Sequence, residues 1–266
     1  MKSFTFTLIA LITASCMAPA QAQQATAQTA KTTQAFEAGV GFDQLSQPYA
    51  DWQLGYLQYE RRLSSNNLVY ARYQLTERFD LRDNEWLLGG YLQLNEKWQA
   101  QLEFATSPSH NVRPEYSANA WLNRQLDNGY VAGFGVHRSK WSSSTSQGYS
   151  GKIERYIGNW RWSYVARFDQ LQSADGDGIS HTASLSYYYD HAQNQELSSV
   201  TLAINSGEEL EKVNARDVLV TDVTGLSLYG LHATSERWAW RWALNWQEQG
   251  DFYDRTGASI GVRYRF

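Results

Sequence analysis

The chain has a single cysteine, no excess of basic residues and no run of 18 apolar residues. Each shortage excludes a class of protein. With only Cys16, neither a disulfide framework nor a cysteine-based metal site can be built. A formal net charge of −4 leaves out the basic stripe that a nucleic-acid partner requires. Mean hydropathy is −0.54, and no segment is long and apolar enough to cross a bilayer as a helix. No motif calls for a cofactor.

The start reads as a secretion signal over residues 1–22. Lys2 opens it, an apolar run follows from Phe4 to Ile12, and Ala20-Gln21-Ala22 supplies a small-residue cleavage site. A lipoprotein reading at Cys16 needs an aliphatic residue three positions earlier, and Thr13 stands there. Residues 23–35 are small and polar without pattern, which predicts a disordered periplasmic leader.

What the chain does have is alternation. Phe36, Ala38, Val40 and Phe42 are separated by Glu37, Gly39 and Gly41. Trp160, Trp162, Tyr164, Ala166 and Phe168 are separated by Arg161, Ser163, Val165 and Arg167. Trp238, Trp240, Trp242, Leu244 and Trp246 repeat the pattern, and Ala258 to Phe266 closes on it. Successive strand side chains point to opposite faces, so such segments present one oily face and one polar face. Similar stretches begin near residues 98, 116 and 130, and less regular ones near 52–62, 68–77, 85–94, 149–156, 181–190, 196–205 and 220–232. The expected fold is all-β: a transmembrane antiparallel up-and-down barrel over 36–266, with 14 strands and 12 as the alternative. The register of 52–62 is open. Short connections such as 64–67, 95–97 and 127–129 alternate with longer ones near 43–51, 78–84, 106–115, 140–148, 170–180, 206–219 and 248–256. That alternation predicts periplasmic turns on one side and surface loops on the other.

The aromatic residues are a check. They make up 14% of the chain, eleven of them Trp. In the up-and-down order Phe36, Trp98, Tyr130, Trp160, Trp238, Tyr264 and Phe266 fall at one end of the strands. Phe42, Phe104, Tyr116, Tyr149 and Trp246 fall at the other. Two aromatic belts around an aliphatic band are what the two lipid interfaces favour.

Several segments resemble the YaiO-like family of outer-membrane β-barrels. They are Glu103-Phe104-Ala105-Thr106-Ser107-Pro108, Pro114-Glu115-Tyr116-Ser117, the stretch Gly133 to Trp141, Tyr164-Val165-Ala166-Arg167-Phe168 and the closing strand. The likeness runs from about Phe36 to Phe266. It implies a surface-exposed barrel of the Gram-negative outer membrane. It supplies no catalytic or ligand-binding residues.

The inward parity carries charges of both signs. Glu37, Glu103, His137, Arg161, Arg167, Arg241, Arg263 and Arg265 are the candidate lumen-lining residues, with Lys152 and Glu154 beside them. They line a pore and set its preference, or they cross-pair and hold the wall together, since a buried unpaired charge is costly. A basic excess on the ninth, thirteenth and fourteenth strands suggests an anion or acidic-glycan preference. Inward glycines at 39, 41, 133, 135 and 261 either keep a channel open or make room for bulky neighbours such as Trp121. Asp175-Gly176-Asp177-Gly178 has too few oxygen ligands for a calcium loop and reads as a turn. A hydrolytic site needs a base within reach of a nucleophile and a group to orient it. His137 and Ser150 lie near each other on the expected barrel, with no carboxylate assured beside them.

These readings predict a non-enzymatic barrel, either a narrow pore for small or saccharide solutes or a structural surface element. The alternatives are a barrel enzyme acting on lipid or lipopolysaccharide and a soluble periplasmic ligand-binding barrel. Expected partners are outer-membrane lipids, lipopolysaccharide and the barrel-assembly machinery, to which terminal Tyr264 and Phe266 are the insertion signal. No polar stripe interrupts the outward faces, so a monomer is expected.

Overall fold

A computed structural model describes residues 33–46, 48–64, 66–172, 176–189, 198–212 and 218–266, with the side chains of 211, 212, 218 and 219 left aside. The expected signal peptide, Cys16, most of the leader and Asp175 lie outside the described residues.

Fourteen strands follow one another as a closed antiparallel barrel. They are β1 (Thr33–Leu45), β2 (Trp52–Arg62), β3 (Leu68–Arg78), β4 (Leu81–Gln93), β5 (Trp98–Thr106), β6 (Tyr116–Gln125) and β7 (Tyr130–Lys140), then β8 (Thr145–Ile157), β9 (Trp160–Leu171), β10 (Asp177–Tyr189), β11 (Ser198–Lys212), β12 (Val218–Ala233), β13 (Trp238–Gln249) and β14 (Tyr253–Arg265). Each strand pairs with its chain neighbours, and β14 pairs with β1 to close the ring. Closure runs to the last residue: Gln34 and Phe266 exchange backbone N–H···O bonds of 3.3 and 3.0 Å. Lipid offers no backbone hydrogen-bond partner, so a sheet that leaves no edge is the stable answer.

The alternation has the expected sense throughout. Phe36, Val40, Phe42, Leu102, Phe104, Trp238, Trp240 and Ile260 are exposed on the outer face, while Glu37, Lys152 and Arg263 are buried inside. Residues 52–62 take the register that turns Trp52, Tyr56, Gln58 and Glu60 inward, because Phe36 pairs with Tyr59 and Glu37 with Gln58. Near the termini the outward aromatics touch in sequence, Trp238 on Tyr264 at 4.7 Å, Tyr264 on Phe266 at 6.2 Å, Phe266 on Phe36 at 5.9 Å and Phe36 on Tyr59 at 5.2 Å. At the opposite, distal end Phe104 stacks on Tyr116 and Phe134 on Tyr149.

Two boundaries differ from the reading of the sequence. Thr33, Gln34 and Ala35 belong to β1 rather than to a leader, paired with Arg62, Arg61 and Glu60 of β2. The distal connections are also shorter than expected, because strand pairing continues into them. β3 and β4 are joined by Phe79 and Asp80 alone, both with positive φ (53° and 61°). Such a two-residue turn matches strand twist but usually carries Asn or Gly, so nothing in Phe79-Asp80 announced it. Residues 107–115, between β5 and β6, form the longest distal connection that is described in full.

Candidate functional site: the barrel lumen

The inward face is a wall of matched charges. Arg241 Nε lies 2.7 Å from Glu37 Oε1, and Arg263 Nη2 lies 2.6 Å from Glu60 Oε1. Arg263 also reaches Glu37 at 3.6 Å, and the Tyr56 hydroxyl donates to Glu37 at 2.7 Å. This cluster draws on β13, β14, β1 and β2, so it straddles the seam where the barrel closes. On β5, Glu103 accepts from the Tyr70 hydroxyl at 2.6 Å. On β8, Lys152 is 3.5 Å from Glu154 and 5.2 Å above the Trp121 ring. On β9, Arg167 grips Asp169 at 2.5 and 2.9 Å, and His137 Nε2 meets the same carboxylate at 2.7 Å. Arg161 packs beside Tyr156 and Tyr188. Arg265, half-buried, ends the inward row of β14.

The expected lumen residues therefore do face one interior, but they form separate latches rather than one site. Three of the five basic residues foreseen on β9, β13 and β14 are matched: Arg167 by Asp169, Arg241 by Glu37, Arg263 by Glu60. Each of these latches joins residues of one strand, adjacent strands or strands one apart, so the side chains lie along the wall. Glu60 and Tyr56 were hidden by the open register of 52–62. Asp169 was legible from its parity, two residues beyond Arg167.

The inward glycines divide. A Cβ on Gly39 would fall 2.5 Å from the Tyr56 ring, and one on Gly135 would fall 2.7 Å from the Trp121 ring. These two glycines seat aromatic rings flat against the wall. A Cβ on Gly41 would meet nothing closer than 3.3 Å.

The distal mouth is built from residues that the sequence did not single out. Leu45, Tyr49, Trp52 and Tyr253 form a buried apolar cluster, with Phe79 and Phe252 packed on it. The guanidinium groups of Arg78 and Arg255 sit 4.9 and 4.7 Å from the Trp52 ring centroid. Beside them, the connection 107–115 folds inward. Asp83 of β4, buried, accepts the backbone N–H of Asn111 at 3.0 Å and those of Val112 and Arg113 at 2.7 Å each. That turns the Arg113 side chain to Thr76 on β3, at 3.2 Å. A carboxylate that accepts several backbone N–H groups is a strong anchor, because charge-assisted bonds are short and unusually stable. Below this loop lies a cavity of about 140 Å³ whose lining includes Asp43, Arg72, Arg78, Glu85, Arg113 and Arg255.

The YaiO membrane beta barrel domain family matches residues 33–208. This chain is a member of that family. It is an outer-membrane β-barrel, and the family match runs from the first residue of β1 into β11, with β12 to β14 lying beyond it. No curated protein matches the sequence. Solved structures with a similar trace include an anion-selective porin from Comamonas acidovorans, at 9% identity and a TM-score of 0.48, covering 90% of this chain and 99% of that one. A bacterial polysaccharide outer membrane secretin aligns at 12% identity and 0.49, covering 90% and 99%. OmpF of Salmonella typhi aligns at 7% and 0.49, covering 90% and 98%. For this family member, the even strand number puts the start of β1 and the end of β14 at one end of the barrel, which in outer-membrane barrels is the periplasmic end. The distal mouth then faces the cell exterior.

Proposed function

We propose that this YaiO-family barrel is a non-enzymatic, narrow passage for small polar solutes, saccharides among them, constricted at its outer mouth. The observation that carries the reading is the Asp83-anchored loop, which sets Arg113 inside the mouth and narrows it above the cavity. The wall latches support the same reading, because they draw charged side chains back against the strands. A cavity of about 140 Å³ has room for about four or five waters at liquid density. Passage of small solutes fits that scale, and free diffusion of large ones does not.

The non-enzymatic reading rests on the surroundings of His137. Its carboxylate partner, Asp169, is shared with Arg167. Ser150 lies opposite Gly135, not opposite His137. A second reading, a closed surface element, is favoured by the apolar cluster around Trp52 at the mouth.

Planar-bilayer recording of the purified protein tests the proposal. Small, discrete conductance steps are expected, together with uptake of small but not large sugars by liposomes that carry the protein. Silence in both assays supports the surface element instead. Lipid or lipopolysaccharide hydrolysis that disappears in His137→Ala would overturn the non-enzymatic reading.

A further inference from the structure

The outer face of β3 to β8 is not evenly convex. A groove of about 670 Å³ runs across it, largely apolar. Its floor is made of small residues, Ala118 and Ala120 of β6. Its walls are Leu102 and Phe104 on one side and Val136 and Tyr149 on the other. At its distal rim stands Arg138, exposed and turned outward.

Arg138 is out of place on a lipid-facing surface. It pairs in register with Ala118 and Gln147, whose side chains share its face. The diagonal neighbours on that face are Tyr116, Ala120, Thr145 and Tyr149, none of them acidic. Lys140, next along the same face, is held by Glu115 at 2.8 Å. Among the described residues, Arg138 has no hydrogen-bonding or ion-pair partner. It lies two residues inside the end of β7, roughly 7 Å at the rise of a strand. A cation at that depth is stabilised when a headgroup anion meets it, and a guanidinium suits a phosphate through paired N–H donors.

We infer that this groove is a binding site for a phosphorylated, multiply acylated glycolipid of the outer leaflet, the lipid A type, with acyl tails on Ala118 and Ala120 and a phosphate on Arg138. The inference rests on the outer-membrane placement and on the start of β1 and the end of β14 being periplasmic, not on the passage proposed above. Bulk lipid would cover an even face by transient contact. A concave floor increases the surface each tail touches, and one unmatched cation at the rim fixes where the headgroup lies.

Native mass spectrometry of the full barrel in neutral detergent tests it, with purified lipid A as the probe. One lipid A should be retained. Retention should fall about tenfold in Arg138→Ala, the scale of one charge-assisted hydrogen bond, and survive in Arg138→Lys. Dephosphorylated lipid A with the same tails should bind like the Arg138→Ala case. Ala120→Trp, which fills the floor and leaves Arg138 intact, should also weaken retention. Arg124→Ala is the control: Arg124 is outward on β6 at the periplasmic end, over Trp98, and its loss should change nothing. Heat-modifiable gel migration confirms that each variant is folded. Equal retention by wild type and Arg138→Ala would overturn the site. Equal retention of phosphatidylglycerol and lipid A would overturn the glycolipid assignment.

Discussion

Arg263 of the last strand reaches over β1 to Glu60 of the second strand, with guanidinium nitrogens 2.6 and 3.1 Å from the two carboxylate oxygens. The pair is bidentate and buried, and with Glu37 and Arg241 it laces the closure seam from inside. Backbone pairing closes the sheet, and this lattice locks the register in which it closes.

Removing one partner leaves a charge without its counter-ion. Arg263→Ala should lower the stability of the folded barrel by about 3 kcal/mol, the usual scale for a broken buried pair. The double variant Glu60→Ala, Arg263→Ala should recover part of that loss. Urea titration of the heat-modifiable band measures both. A double variant no better than the single one would mean that the pair is not coupled.

The loop at the mouth depends on Asp83. Asp83→Ala strips the acceptor from three backbone N–H groups and should cost the loop about 1–3 kcal/mol of local stability. Arg113 then leaves Thr76, so channel current should grow and become noisier. A broad-specificity protease such as proteinase K should also cut within residues 107–115 in the folded variant but not in wild type. Unchanged current and resistance would mean that the loop does not define the mouth.

Gly39 and Gly135 leave room for the Tyr56 and Trp121 rings against the wall. Gly135→Ala puts a methyl group 2.7 Å from the Trp121 ring, and the ring is expected to shift toward the lumen. Gly39→Ala does the same to Tyr56. On the passage reading both variants should reduce conductance, and Gly151→Ala, on the outer face with nothing within 4 Å of its added methyl, should not. Conductance recorded side by side for the three variants decides the point.

Phe266 separates folding in the cell from stability afterwards. Its ring is exposed and stacks on the outer aromatic belt, on Phe36 and Tyr264. Phe266→Ala should leave the folded barrel within roughly 1 kcal/mol of wild type, as surface changes do. In cells it should assemble less efficiently, if the terminal aromatic is read by the assembly machinery. Pulse-chase in cells and urea titration in detergent give the two numbers.

One pH response lies outside the membrane. The hydrogen bond from Lys140 holds the Glu115 carboxyl below its ordinary range. A depressed folded pKa means that its contribution is present above the unfolded value and is lost as pH falls through the folded one. NMR titration should find Glu115 ionising at lower pH than an isolated glutamate, and Lys140→Ala should move it back up.

The strand pattern was legible because lipid and lumen alternate across every residue. Phe36, Val40 and Phe42 could only face outward if Glu37 and Asp43 faced inward. The inward placement of Arg161, Arg167, Arg241 and Arg263 followed from that parity, and the fourteen strands, with twelve as the alternative, from the parity together with the alternating short and long connections. It did not say which charges meet. Glu37 and Arg241 are some two hundred positions apart in the chain, and only ring closure makes them neighbours. Nor did it reveal the mouth, where Phe79-Asp80 turns without glycine and Asp83 pulls in a loop from beyond the next strand. Local chemistry decides which way a side chain points. The curvature and closing register of the whole sheet decide what it touches.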